Sequence, residues 1–201
     1  MYTNPYMQGS IKESIAVKES LLKDQIALKA LGSIADALKD VYRRGGKILI
    51  AGNGGSAADA QHFAAEITCQ YKAVRKGYPA IALHTDTSAL TAWGNDKSFE
   101  TFFGRQVEAL GQKGDALIVI STSGNSADLL YAVEQAKKGG LQVFALLGRD
   151  GGKLKAEGLC DEVIIVPSQN TPRIQECHIM LIHIICEALD TFLVALDQKN
   201  N

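Results

Sequence analysis

The stretch KILIAGNGGS, Lys47–Ser56, decides the fold, and it has an echo in ALIVISTSGNS, Ala116–Ser126. In each, an apolar run ends in a loop of Gly, Ser and Asn, and a helix-like segment follows. Each therefore predicts a buried strand that delivers an anion-sized site to a helix N-terminus, where backbone N–H groups and the helix dipole favour negative charge.

Working outward, further apolar runs alternate with helical patterns. Strands are predicted at 47–52, 80–83, 116–121, 142–147 and 162–166, and helices at 57–70, 87–93, 98–110 and 127–138. Residues 148–152 read as a flexible turn. Thr171-Pro172 opens a long helix to about Leu196, with Pro at a favoured first-turn position. Solidly apolar strands alternating with helices imply a doubly wound α/β fold, a five-stranded parallel sheet covered on both faces. Ligands in such a fold sit at the carboxyl ends of the strands, where both loops lie.

Ahead of this unit, two helical runs cover 10–27 and 28–42 and stop at Arg43-Arg44-Gly45-Gly46, and Met1–Gly9 reads as a loose end. Their apolar positions exceed what one face needs, so they are candidates for subunit packing. With 201 residues the expectation is one domain, with N-terminal helices over 10–44 and an α/β sandwich over 47–196.

Apolar residues make up 46% of the chain, charged residues 21%, and the net charge is −1. That balance gives no electrostatic case for nucleic acid or an anionic membrane. Cys69, Cys160, Cys177 and Cys186 have no C-x-x-C spacing, which suits reduced thiols and a cytoplasmic protein. No run reads as long enough to span a bilayer, and the first residues lack an apolar signal core.

The first loop, Gly52-Asn53-Gly54-Gly55-Ser56-Ala57, fits the dinucleotide fingerprint G-x-G-x-x-A. The fingerprint also requires an acid at the end of the second strand, and here that strand ends in Leu83-His84. No Gly-Lys-Ser/Thr follows, so it is not a P-loop either. What remains is a turn that lets backbone approach a ligand, with Asn53 and Ser56 free to bond hydroxyls. The second loop offers Ser121, Thr122, Ser123 and Ser126 beside a run of backbone N–H groups. A helix cap at Ser126 uses one hydroxyl, and four suit a phosphate monoester.

His62 and Glu66 lie four apart on the helix after the first loop, opposite Ala60, Phe63, Ala64 and Ile67. Such a pair suits a metal or proton transfer, but spacing alone favours a mutually satisfied or solvated pair. His178 and His183, in the aliphatic C-terminal helix, read as core histidines. Gln175 and His183 stand a little over two turns apart and align only loosely.

Taken together, AGNGGSAADAQHFAAE (51–66), GYPAIAL (77–83), GND (94–96), ALIVISTSGNS (116–126), GRDGG (148–152) and RIQECHIMLIH (173–183) resemble the sugar isomerase (SIS) domain family, and within it the bacterial phosphoheptose isomerases. The motifs stand in family order over nearly the whole chain. Ala51 departs from the Cys common there and touches nothing catalytic. The resemblance implies a homotetramer with active sites between subunits, acting on a small-molecule sugar phosphate. The implied reaction converts D-sedoheptulose 7-phosphate into D-glycero-D-manno-heptose 7-phosphate, the first step toward nucleotide-activated heptose for lipopolysaccharide or other glycans.

By the same resemblance Ser121, Thr122, Ser123 and Ser126 hold the phosphate, while Asn53, Gly54, Gly55, Ser56, Asn95, Asp96 and Gln175 face the sugar. Glu66 and His183 fall on the acid/base positions, and His62, Glu66, Gln175 and His183 on the ligand positions of one zinc ion per subunit. Two other readings stand beside it. One is a non-catalytic SIS protein that binds the replication initiator, which lacks the acid/base pair. The other is an isomerase of another sugar phosphate, such as arabinose 5-phosphate.

Overall fold

A computed structural model describes residues 4–200, without the side chains of 199 and 200. Five parallel strands, β1 (Ile48–Gly52), β2 (Ala80–Ala82), β3 (Ala116–Ser121), β4 (Gln142–Gly148) and β5 (Glu162–Val166), form one sheet in the order β2-β1-β3-β4-β5. The doubly wound sheet expected from the alternating runs is therefore present. β1 and β3 pair in register, Ile50 with Ile118 and Gly52 with Ile120, so their ends lie side by side. The chain leaves β1 toward one edge and β3 toward the other. The two Gly/Ser loops thus flank the switch point, where an open parallel sheet leaves a crevice.

Strand alternation sorts the core into two layers. Ile48, Ile50, Ile118, Ile120, Phe144 and Ile164 face one side and pack with helices α2 (Gln25–Arg43), α3 (Gly55–Thr68) and α8 (Thr171–Asn200). Leu49, Ala51, Leu117, Val119, Val143 and Leu147 face the other. That side is covered by α5 (Phe102–Leu110), α6 (Ala127–Lys138) and α7 (Gly152–Ala156). Helix α3 meets its layer through Ala60, Phe63, Ala64 and Ile67, the apolar side read from its sequence.

The helix boundaries need four corrections. Helix α1 spans Pro5–Lys23, so Pro5–Gly9 is helical rather than loose. Asn4 caps it by accepting from Tyr6 N, with Pro5 in the first turn. Met1–Thr3 lie outside the described residues. The α1–α2 break falls at Asp24, whose carboxylate accepts from Ile26 N and Ala27 N, and not after Ala27. Helix α4 (Thr87–Asp96) continues through Gly94-Asn95-Asp96. The run predicted at 98–110 opens with a 3₁₀ turn, Phe99–Thr101, behind Ser98. The turn at 148–152 leads into α7, which the sequence pattern did not suggest.

Helix α8 also corrects the membrane reading. Over Thr171–Gln198 it is long and apolar enough to cross a bilayer, with an 18-residue window of mean hydropathy 2.1. Here it is a core helix, buried along Ile174, Cys177, His178, Leu181, Ile182, Ile185, Cys186, Leu189 and Leu193.

Candidate active site

At the end of β1 the backbone turns into α3 through Gly54, whose φ of 57° and ψ of −120° form a conformation that residues with a side chain rarely adopt. Asn53 is held there by its amide, which donates to Asp128 Oδ2 at 2.8 Å. Asp128 lies in the first turn of α6 and is buried, so this bond ties the two loops together across the switch point.

The second loop is self-bonded and braced. Ser121 Oγ accepts from Gly124 N at 3.0 Å, and Asn125 donates its amide to Ser123 O at 2.9 Å. From the start of α7 Lys153 N donates to Asn125 Oδ1 and Leu154 N to Gly124 O, each at 3.0 Å. Ser126 occupies the N-cap position of α6, yet its hydroxyl makes no cap bond. Asn53, Ser56, Ser121, Thr122, Ser123, Ser126 and Gln175 line a cavity of about 80 Å³. Gln175 reaches it from α8, close enough that a Cβ on Gly55 would stand 2.4 Å from its amide nitrogen.

Two turns further along the same pair of helices lies the second centre. His62 Nε2 is 3.1 Å from Glu66 Oε1 and 3.0 Å from His183 Nε2. The three donor atoms fall within 4.8 Å of one another. His62 and Glu66 do pair, as their spacing suggested, but His183 is not the core histidine its neighbours suggested: it is half-buried and aims its ring at His62 from a different helix. The set suits zinc, which takes nitrogen and carboxylate ligands at about 2.0–2.2 Å, so that ligand nitrogens stand roughly 3.3 Å apart on a tetrahedral edge. Gln175 is not in this cluster. Eight residues before His183, it lies about 12 Å up the helix axis and faces the serine loop.

Four nearby residues were not singled out from sequence. The ring of Tyr71 tilts against His183 with centroids 6.0 Å apart. Asp59, one turn before His62, has a buried carboxylate oxygen with no partner, and burial pushes its pKa up to about 6 against the pull of His62. His84 lines a second cavity with Gly52, Asn53, Gly54 and Phe99, and burial lowers its pKa. Asp128 left one trace, an acid in the first turn of a helix. Asn95 and Asp96 sit exposed at the end of α4, Asn95 donating to Asp96 at 2.9 Å, and neither lines either cavity.

Two polar loops at a switch point and a His/Glu/His cluster on the covering helices form one crevice at the carboxyl ends of the strands. The SIS domain family model matches residues 11–148, and the chain belongs to that family. Within it the chain belongs with the phosphoheptose isomerases. It is 56% identical over 180 residues to the phosphoheptose isomerase of Helicobacter pylori strain P12, covering 89% of this chain and 93% of that one. The phosphoheptose isomerase structure from Neisseria gonorrhoeae superposes with a TM-score of 0.86 at 46% identity, over 92% of this chain and 97% of that one. That from Francisella tularensis gives 0.89 at 35% identity, over 95% and 100%.

Proposed function

We propose that the chain interconverts D-sedoheptulose 7-phosphate and D-glycero-D-manno-heptose 7-phosphate. The observation that carries this reading is the separation of the two centres. From Gly55 and Gln175 to His62 and His183 is seven or eight residues, or about 11–12 Å along α3 and α8. A seven-carbon chain with its terminal ester spans roughly 10 Å at ordinary bond lengths. A phosphate held by Ser121, Thr122, Ser123 and Ser126 thus leaves C1 and C2 at the cluster. Asn53, Gly54, Gly55, Ser56 and Gln175 then face the hydroxyls between, and Asn95 and Asp96 complete a site shared with a neighbouring subunit.

The reaction moves one proton between C1 and C2. The Glu66 carboxylate takes the C1 proton while the C2 oxygen gains one, giving an enediol. Return of a proton to C2 and loss of the C1 hydroxyl proton give the aldose. His183, with one ring nitrogen in the cluster, serves the oxygens. His62, Glu66 and His183, with Gln175 as fourth ligand, would hold a zinc ion, which would supply Lewis-acid polarisation of the carbonyl. A homotetramer, a cytoplasmic location and a place at the head of nucleotide-activated heptose synthesis follow from the same reading. The convergence of Glu66 and His183 favours an enzyme over a protein-binding SIS relative.

The test is turnover of sedoheptulose 7-phosphate with and without zinc, read by NMR. We expect turnover that a chelator lowers and zinc restores. No turnover in either condition, from an intact assembly, moves the assignment to the protein-binding reading.

A further inference from the structure

His62 and Glu66 stand on one helix and His183 on another, so their distances depend on how α3 and α8 are held relative to each other. Outside the cluster, a buried ion pair ties the loop that follows α3 to α8. Arg75, in the loop after α3, donates Nε to Asp190 Oδ1 of α8 at 2.8 Å, with the two side chains 1% and 7% exposed. The same guanidinium closes the C-terminus of α3. Its Nη2 donates to the carbonyl of Glu66 at 2.9 Å, and its Nη1 to those of Ile67 and Lys76 at 3.0 Å. The other oxygen of Asp190 accepts from Ala73 N at 2.8 Å and Lys72 N at 3.3 Å. Asp190 follows His183 by seven residues, two turns along nearly the same face. The clamped loop also carries Tyr71, whose ring rests against His183.

We propose that the buried Arg75–Asp190 pair is the positioning element of the His62–Glu66–His183 cluster: it bonds the backbone of Glu66 itself on one side and fixes the helix of His183 on the other. This rests on the reading of the cluster as the acid/base and metal centre. A planar fork with several donors does this and a lysine cannot. The pair is not a catalytic residue pair, because it acts through the placement of others.

Arg75→Lys keeps the charge and loses the fork; Asp190→Asn keeps the shape and loses the charge. The first readout needs neither metal nor substrate. In histidine-labelled protein the rings of His62 and His183, with centroids 5.2 Å apart, give a through-space NMR contact. We expect both variants to retain far-UV circular dichroism but to lose most of that contact. Zinc affinity, measured by chelator competition, falls 10- to 100-fold. kcat falls at least tenfold, with KM for the sugar phosphate within twofold, because the serine loop is braced elsewhere. Lys72→Ala breaks the exposed Lys72–Glu187 pair of the same loop and leaves all readouts within twofold.

Variants that melt earlier yet keep the ring contact and zinc affinity within twofold make the pair merely structural and overturn the proposal. Failure of both variants to fold overturns it too, because the pair is then a condition of folding. Absence of turnover in the unsubstituted protein sinks the isomerase reading, while the ring contact still tests the clamp.

Discussion

Glu66 and His178 show how the surroundings of a single side chain set its use. Glu66 keeps an oxygen 3.1 Å from His62 and stays open to the crevice, so as a carboxylate it can accept a proton. Replacing it with Gln preserves shape and removes that capacity. We expect kcat to fall by about 10³-fold, within the range for a lost general base, while inorganic phosphate still competes with unchanged affinity. Near-normal turnover would sink the role. His178 is buried completely, and its Nε2–H donates to Leu147 O, 3.1 Å away. Burial, partly opposed by that bond, pushes its pKa from 6.5 down to about 4. The unfolded chain therefore takes up a proton near pH 6.5 and the folded chain only near pH 4. Stability from this group is level above pH 6.5 and declines between pH 6.5 and 4, by roughly 3 kcal/mol in all. Urea melts of wild type and His178→Gln should diverge in that window, the variant having the flatter profile. Parallel profiles would mean that the histidine is not held neutral. Sequence placed His178 correctly as a core residue and misread His183 by the same rule. The two differ only in what lies opposite, and the partner of His183 is 121 positions away.

At the scale of elements, strands were the most legible part. Each is a short aliphatic run bounded by glycine or polar residues, and with both faces covered nothing competes with that pattern. Helix ends were less legible. Apolar periodicity continues across Asp24, so the break between α1 and α2 depends on a carboxylate bonding two amides, a cue of one residue. The serine loop lies between these cases. Its hydroxyls suggest an anion site, whereas its bracing by the turn at 148–151 and the start of α7 required the fold. Gly124 is the contact point. Its φ is +66°, and a Cβ there would stand 2.0 Å from Gly151 O, a backbone atom with nowhere to go. Gly124→Ala should undock the loop, raising KM more than tenfold and costing about 1–3 kcal/mol of stability. Gly9→Ala, in the open second turn of α1, should add about 0.5–1 kcal/mol and leave kinetics alone. If KM for Gly124→Ala stays within twofold of wild type, the loop does not hold the phosphate.

For the whole molecule, the question is what covers the surfaces that one chain leaves bare. Helix α4 buries none of its residues, although it carries Asn95 and Asp96. Leu22 and Ile26 are 69% and 82% exposed. Ile15, Leu22, Leu28, Met180 and Ile184 line an apolar groove between α1, α2 and α8. The surplus of apolar positions in the first two helices, seen in the sequence, is thus a surplus in the fold as well. A second copy of the chain is the occupant consistent with the shared site proposed above. Each Leu or Ile covered on assembly would contribute about 1.5–3 kcal/mol, so a few of them would hold such an assembly together without contributing to the fold of one chain. Light scattering should give four times the 21.6 kDa chain mass. Leu22→Asp combined with Ile26→Asp should yield smaller species with native circular dichroism. If Asn95 and Asp96 act across the interface, turnover falls with the tetramer fraction and recovers at high protein concentration. A dissociated variant with full turnover would mean that each chain carries a complete site, and the exposed end of α4 would then have no part in binding the sugar.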